Sequence, residues 1–246
     1  MSADEVWAAT YFFSSDYHDL WREEVARGAI RWHGIPSSIS GVVVEVGCGE
    51  GRVARRVLRM FEDVSFYVGV DVSANALNYA RKSLVNAKKV ELVQADGRYL
   101  PFRGGAFHFV LCIETAHYIP DLEGLLAEVS SVLKEEGLFI CDFPDMSKGR
   151  VALHFALRRI FNRLHGRFKM LFEHLAKMLD TFPSLSFKRY GLSKRWLVSV
   201  LRYGATPFFP ARESWVMLAL GKVGLKAISM VRSRGDGKLI LLAKKT

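Results

Sequence analysis

The stretch that most constrains this chain is Gly41 to Arg52, GVVVEVGCGEGR. Val42, Val43, Val44 and Val46 form a β-branched run of the kind found in a strand buried on both faces of a parallel sheet, and the run ends abruptly in glycines. Gly47, Gly49 and Gly51 occupy every second position. Residues 52–61 then space Val53, Val57, Leu58 and Phe61 along one face of a helix. A glycine-rich loop between a buried strand and a helix lets a ligand approach the backbone, because no Cβ intervenes and a positive φ costs little.

Two ligand chemistries compete for such a loop, and a glycine turn without any ligand is the plainer alternative. A dinucleotide fingerprint G-x-G-x-x-G needs its third glycine at position 52, where this chain has Arg52. Glu45 stands on the strand just before the turn. That carboxylate would repel a pyrophosphate and suits a cationic ligand, such as one bearing an amino group or a sulfonium. The segment VEVGCGEG resembles motif I of the class I S-adenosylmethionine-dependent methyltransferases. The resemblance implies a Rossmann-like α/β fold, a seven-stranded, mostly parallel, doubly wound sheet whose last strand is antiparallel. It also implies S-adenosylmethionine as cofactor, left as S-adenosylhomocysteine. Glu45 would hold the methionine end electrostatically, directly or through water, and Gly47, Cys48, Gly49 and Gly51 would line its approach.

Downstream segments extend the pattern. Residues 65–71 read as a second buried strand ending in Asp71, twenty residues beyond Gly51. There a carboxylate can return to the glycine loop and accept from two ribose hydroxyls, with Val72 beside it. Ser73 is a candidate N-cap for a helix over 74–87. Residues 89–94 form a third strand that delivers Asp96 and Gly97. By the resemblance, Asp96 accepts from the adenine amino group, the Gly97 N–H faces a ring nitrogen, and Leu100-Pro101-Phe102 closes the turn. A fourth strand over 106–113 departs from the family, carrying His108 after Phe107 where relatives have aspartate. The resemblance places Ile113 and Glu114 near the methionine end. His117 is the candidate general base, since imidazole titrates near neutral pH; a hydrogen-bonded structural histidine is the other reading. A helix over 121–135 and a fifth strand over 137–143 follow, so the resemblance covers roughly 41–143.

Four parts are expected: an N-terminal helical cap over 1–40, the cofactor-binding core over 41–143, a mainly helical insertion over 144–211, and a return to the core over 212–246. The cap holds an amphipathic helix over 16–32, and in the resembled family an aromatic from this region approaches the methyl group, making Tyr11 and Tyr17 substrate candidates along with Glu114 and His117. Within the insertion, residues 151–179 set Leu157, Ile160, Leu164, Phe168, Leu171 and Leu175 at helical spacing among Arg158, Arg159, Arg163, Arg167, Lys169 and Lys177. Such a segment suits a substrate lid, a membrane-surface element or a cationic nucleic-acid face. The return supplies a helix over 213–220 and two strands, 227–232 and 238–243, about an Asp236-Gly237 hairpin turn.

Charge separates the halves. Residues 1–142 carry 14 Lys and Arg against 20 Asp and Glu, a balance of −6, whereas 143–246 carry 21 against 5, a balance of +16. The basic part favours an anionic partner: a small or lipid-like acceptor, a nucleic acid, or an anionic membrane surface touched peripherally. Cys48, Cys112 and Cys141 are isolated, with no metal or redox spacing, so no metal is expected. One glutamine and four asparagines in 246 residues fit a thermophilic source. No apolar run approaches the ~18 residues of a membrane span, and the acidic start is unlike a signal peptide, so a cytoplasmic location is expected. The function these features predict is a methyltransferase acting on a small or lipid-like acceptor. An RNA (tRNA or rRNA) methyltransferase and a non-catalytic S-adenosylmethionine-binding protein are the alternatives. Oligomeric state is not encoded in any of these motifs.

Overall fold

The computed structural model of the chain describes residues 38–147, 212–232 and 238–246, with scattered positions between 160 and 177. The expected N-terminal helix with Tyr11 and Tyr17, the Asp236-Gly237 turn and most of the insertion lie outside the described residues. The chain divides into two compact units: Met1–Arg31 with Ala152–Pro207, and Trp32–Val151 with Phe208–Thr246.

The second unit carries the sheet. Its elements are β1 (Gly41–Val46), α1 (Arg52–Met60), β2 (Val64–Asp71), α2 (Ala74–Ser83), β3 (Val90–Gln94), β4 (Phe107–Cys112), a one-turn 3-10 helix (Ala116–Tyr118), α3 (Leu122–Val132), β5 (Leu133–Pro144), α4 (Glu213–Lys222), β6 (Leu225–Arg232) and β7 (Lys238–Lys245). Strand order is β3-β2-β1-β4-β5-β7-β6. The first five strands are mutually parallel, and β7 runs antiparallel to both β5 and β6. This is the doubly wound sheet with an antiparallel last strand that the sequence predicts.

Alternation along β1 shows why both faces must be covered. Val43 packs with Ile39, Tyr67, Ala54 and Val57, under α1 and α2. Val44 and Val46 pack with Leu125, Leu126, Val129 and Leu220, under α3 and α4. A strand buried on both faces must be apolar throughout, which is the origin of the valine run. From β1 the chain winds outward through β2 and β3, and after β4 it winds the other way. The crevice beyond the carboxyl ends of β1 and β4 is therefore the topological switch point, where open α/β sheets take ligands.

Three local departures have physical causes. Leu133 is fully buried and pairs with Phe107, so α3 ends at Val132 and β5 starts four residues before the expected Gly137. Glu136 takes a left-handed φ of 66° at the irregularity this creates. Helix α2 stops at Ser83 rather than Ala87, because Leu84 folds under Gly51 and the Ala87 N–H donates to the Leu84 carbonyl in a turn. His108 takes a definite position: its Nδ1 accepts from the Val42 N–H at 3.0 Å, and its ring packs beneath Gly41, whose φ is 71°. The imidazole thus anchors the start of β1 to β4, far from the switch point.

Candidate functional site

The loop after β1 is bent by a shared acceptor. The N–H groups of Gly47 and Cys48 both donate to the Val70 carbonyl, at 2.7 and 2.9 Å, folding the chain over the end of β2. The Gly51 N–H donates to the Cys48 carbonyl at 2.9 Å and closes the turn. Gly47, Gly49 and Gly51 have φ of 77°, 54° and 78°, conformations that other L residues adopt only at a cost. Asp71, at the end of β2, accepts from the Gly49 N–H at 2.8 Å through Oδ2 and from the Ser73 N–H at 2.9 Å through Oδ1. Ser73 in turn caps α2, its hydroxyl accepting from the Ala76 N–H at 3.3 Å. One half-buried carboxylate thereby ties the glycine loop to the next strand-to-helix turn.

Packing, as well as conformation, explains two of these glycines. A Cβ on Gly51 would meet Leu84 Cδ1 at 2.7 Å, and one on Gly47 would meet Thr115 Oγ1 at 2.1 Å. Thr115, to which sequence reasoning gave no role, donates its hydroxyl toward the Ile113 carbonyl at 3.1 Å and the Gly47 carbonyl at 3.3 Å, joining the loops after β1 and β4. Gly47→Ala is expected to cost roughly 2 kcal/mol or more, combining a left-handed backbone with this clash. Adding Thr115→Gly should recover the steric share and not the backbone share. Thermal denaturation of the single and double variants measures the split, and full recovery would contradict the backbone contribution.

Glu45, expected to act on the methionine end directly or through water, is a buried side chain. It lies on the α1 face of β1, is 1 % exposed, and accepts from the Tyr67 hydroxyl at 2.7 Å. Burial raises its pKa to about 8, against the opposing pulls of the Tyr67 hydrogen bond, the Arg52 charge and the Ala54 N–H. That burial favours the protonated acid at the base of α1. Burial also holds the Cys48 thiol well above the usual range.

Asp96 follows β3 but its carboxylate is engaged. Arg98 grips it with Nε at 3.0 Å from Oδ1 and Nη2 at 2.6 Å from Oδ2, and the Arg98 N–H adds a 2.9 Å bond to Oδ1. These bonds, opposed by partial burial, lower the Asp96 pKa. Gly97 is required here, since a Cβ would meet Val46 Cγ1 at 2.6 Å. An adenine amino group reaching Asp96 would compete with Arg98. Arg98→Ala is therefore expected to tighten binding of S-adenosylhomocysteine by about threefold, the scale of an exposed ion pair. Titration calorimetry measures this, and weaker binding would mean that Arg98 itself contacts the ligand.

At the end of β4 the chain turns through Glu114 with a left-handed φ of 58°. Buried Asp142 holds this turn, Oδ1 accepting from the Glu114 N–H at 2.6 Å and Oδ2 from Lys238 Nζ at 3.0 Å. Lys238 also pairs with the Glu114 carboxylate. Burial, and behind it the Arg52 guanidinium, push the Lys238 ammonium down to about 7, even though two carboxylates stand against it. Asp142 and Lys238 escaped sequence reasoning because they meet only where antiparallel β7 joins β5. His117 occupies the 3-10 helix just beyond, buried, its ring 4.1 Å from that of Tyr118. Val72 follows Asp71, its carbonyl accepting from Gln94 Nε2 at 3.1 Å. Ile113 packs against the α1-side core. Among the described residues, no group of three or more His, Cys, Asp or Glu side chains is arranged to hold a metal, and no helix is long and apolar enough to cross a membrane.

Comparison with known proteins finds relatives for part of the chain. Residues 44–141 match the model of the methyltransferase domain. Over 98 residues the chain is 37% identical to the fatty-acid O-methyltransferase of Mycolicibacterium smegmatis, covering 40% of this chain and 35% of that protein. Over 135 residues it is 33% identical to the mitochondrial arginine-hydroxylase NDUFAF5 of Danio rerio, covering 54% and 40%. The chain thus spans well under half the length of both relatives. A demethylmenaquinone methyltransferase of Staphylococcus aureus aligns at 26% identity over 69% of this chain and 70% of its own. Among solved structures, a chain from the Haloferax volcanii complex of the Trm112 methyltransferase activator with a methyltransferase has a TM-score of 0.63 at 15% identity, covering 99% of each chain. The [4+2]-cyclase SpnF has a TM-score of 0.54 at 13% identity, covering 85% of this chain and 76% of its own. At such identities these structures speak for the fold alone.

Proposed function

We propose, from the match of residues 44–141 to the methyltransferase domain, that this chain transfers the methyl group of S-adenosylmethionine to a small or lipid-like acceptor. The observation that carries the cofactor assignment is the Asp71 tether at the switch point. A half-buried carboxylate at the end of β2 accepts from the Gly49 and Ser73 N–H groups and so holds a loop of left-handed glycines at the switch point. A ribose diol presents two hydroxyl donors to such a group. The chain's own residues fit the rest of the ligand with one adjustment: Asp96 and the Gly97 N–H suit the adenine edge once Arg98 shares the carboxylate.

When bound, S-adenosylmethionine supplies a sulfonium that makes its methyl carbon electrophilic, so the protein's task is to align and to exclude water. The glycine loop fixes the donor's position through Asp71. The Glu114 turn, pinned by Asp142 and Lys238, sets the backbone of Ile113 and Glu114 at the methionine end. Glu45 keeps the strand-to-helix turn in shape as a neutral acid and does not pair with the methionine end. His117 can take a proton from the acceptor atom if that atom carries one, its imidazole becoming imidazolium. A role for Tyr11 or Tyr17 beside the methyl group belongs to the same reading.

The acceptor class rests on the apolar and basic second half of the chain, and on the relatives named for a fatty acid and for demethylmenaquinone. The +16 balance of residues 143–246 also supports RNA methylation as a second reading. A relative named as a hydroxylase keeps other chemistry, or cofactor binding without methyl transfer, as a third. Incubating the protein with methyl-labelled S-adenosylmethionine and separate pools of fatty acids, demethylated quinols and RNA tests them. Label in the organic extract is expected. Label confined to RNA would overturn the acceptor, and no transfer by a protein that binds the cofactor would overturn the activity.

A further inference from the structure

Segment 160–177 belongs to the smaller compact unit. Its described backbone is helical with a bend at Phe168, and the Phe168 N–H to Leu164 carbonyl (2.9 Å) and Phe172 N–H to Phe168 carbonyl (3.1 Å) bonds carry the helical register across the bend. Ile160, Leu164, Phe168, Leu171 and Leu175 recur at intervals of four, four, three and four, so they form one stripe. That stripe faces solvent: its members are 56 %, 44 %, 51 %, 55 % and 38 % exposed. Arg163, Arg167, His174 and Lys177 are exposed as well. At 3.6 residues per turn these four fall together on the adjoining sector. An ordinary surface helix turns its apolar stripe inward and its charges outward, whereas here an apolar stripe and a basic stripe lie side by side on the outward half.

We propose that this face docks on an anionic lipid surface, with the apolar stripe entering the headgroup boundary and the arginines and lysine meeting lipid phosphates. Charge chooses this occupant over the others. A second copy would bring two basic stripes together, and like charges repel. Nucleic acid would satisfy the arginines, but base stacking needs aromatic faces and four of the five stripe residues are aliphatic. Lipid answers both stripes at once. The surface deepens the lipid-like acceptor reading by saying where such an acceptor is met. Vesicle binding is measured without cofactor or turnover, so its failure and the failure of that reading are distinguishable.

The test is co-sedimentation of the full chain with vesicles of phosphatidylcholine alone and of phosphatidylcholine with phosphatidylglycerol, at low and raised salt. Binding to the anionic vesicles is expected, and it should fall on the order of tenfold in both Leu164→Glu/Leu171→Glu and Arg163→Gln/Arg167→Gln. Unchanged circular dichroism and S-adenosylhomocysteine affinity check that each variant folds; as exposed substitutions they are expected to. Equal binding to neutral vesicles, anionic binding that survives the double glutamate change, or no vesicle binding would each overturn the proposal. So would a dimer that the same glutamates dissociate, or RNA binding that they leave intact while vesicles fail to compete.

Discussion

Asp71→Ala is expected to lose S-adenosylmethionine and S-adenosylhomocysteine binding by about tenfold to a hundredfold, and to lower folding stability at the same time. The two effects have separate origins. The carboxylate accepts from the Gly49 and Ser73 N–H groups at 2.8 and 2.9 Å, and removing a charged acceptor from two partly buried donors costs about 2 to 4 kcal/mol. Loss of the ribose contacts removes roughly another 1 to 3 kcal/mol from binding alone. Asp71→Asn separates them, because its amide oxygen can still accept from one backbone donor while the charge is gone. Calorimetric titration beside thermal denaturation reads both. An alanine variant that is destabilised yet binds with an unchanged dissociation constant would show that Asp71 is only a structural tether.

Glu45→Gln tests the opposite expectation for the other strand-end carboxylate. Its folded pKa of about 8 lies above the ordinary glutamate value of 4.5, so between these limits the folded state holds a proton that the unfolded state has released. The stability contribution of this group is fully present below about pH 4.5, falls as pH rises, and is exhausted above about pH 8. The largest effect such a shift allows is roughly 4 to 5 kcal/mol. An amide mimics the neutral acid, and can still accept from Tyr67. The variant should therefore lack this fall, exceed the wild type in stability near pH 9, and keep its cofactor affinity. Denaturant midpoints across pH measure it. A variant with the wild-type pH profile and impaired binding would restore Glu45 to the ligand's amino group.

Local spacing made the glycine loop, Asp71 and the seven elements of the sheet legible from sequence alone. A valine run, three glycines and a carboxylate twenty residues on are constraints that act within one strand-turn-strand unit. What sequence did not reveal depends on residues that meet only in the folded chain. Glu45 looks like an available anion until Tyr67, 22 positions away, and the base of α1 enclose it. Thr115 explains Gly47 only because β4 lies beside β1. Asp142 and Lys238 are separated by 96 positions and meet because β7 inserts antiparallel between β5 and β6. His108 was visible as a departure from the family, but its bond to the Val42 N–H follows from strand pairing. Arg98 sits two residues from Asp96 and was in plain view; the expectation attended to the ligand's claim on the carboxylate and not to the arginine's.

The central claim is that the loop closed by Asp71 is an S-adenosylmethionine site. Titration of S-adenosylhomocysteine into the 246-residue chain, stripped of any ligand carried through purification, tests it most directly. One site per chain with a micromolar dissociation constant, competed by S-adenosylmethionine and not by a nicotinamide dinucleotide, is the predicted result. No heat of binding, or preference for the dinucleotide, would contradict the account at its base.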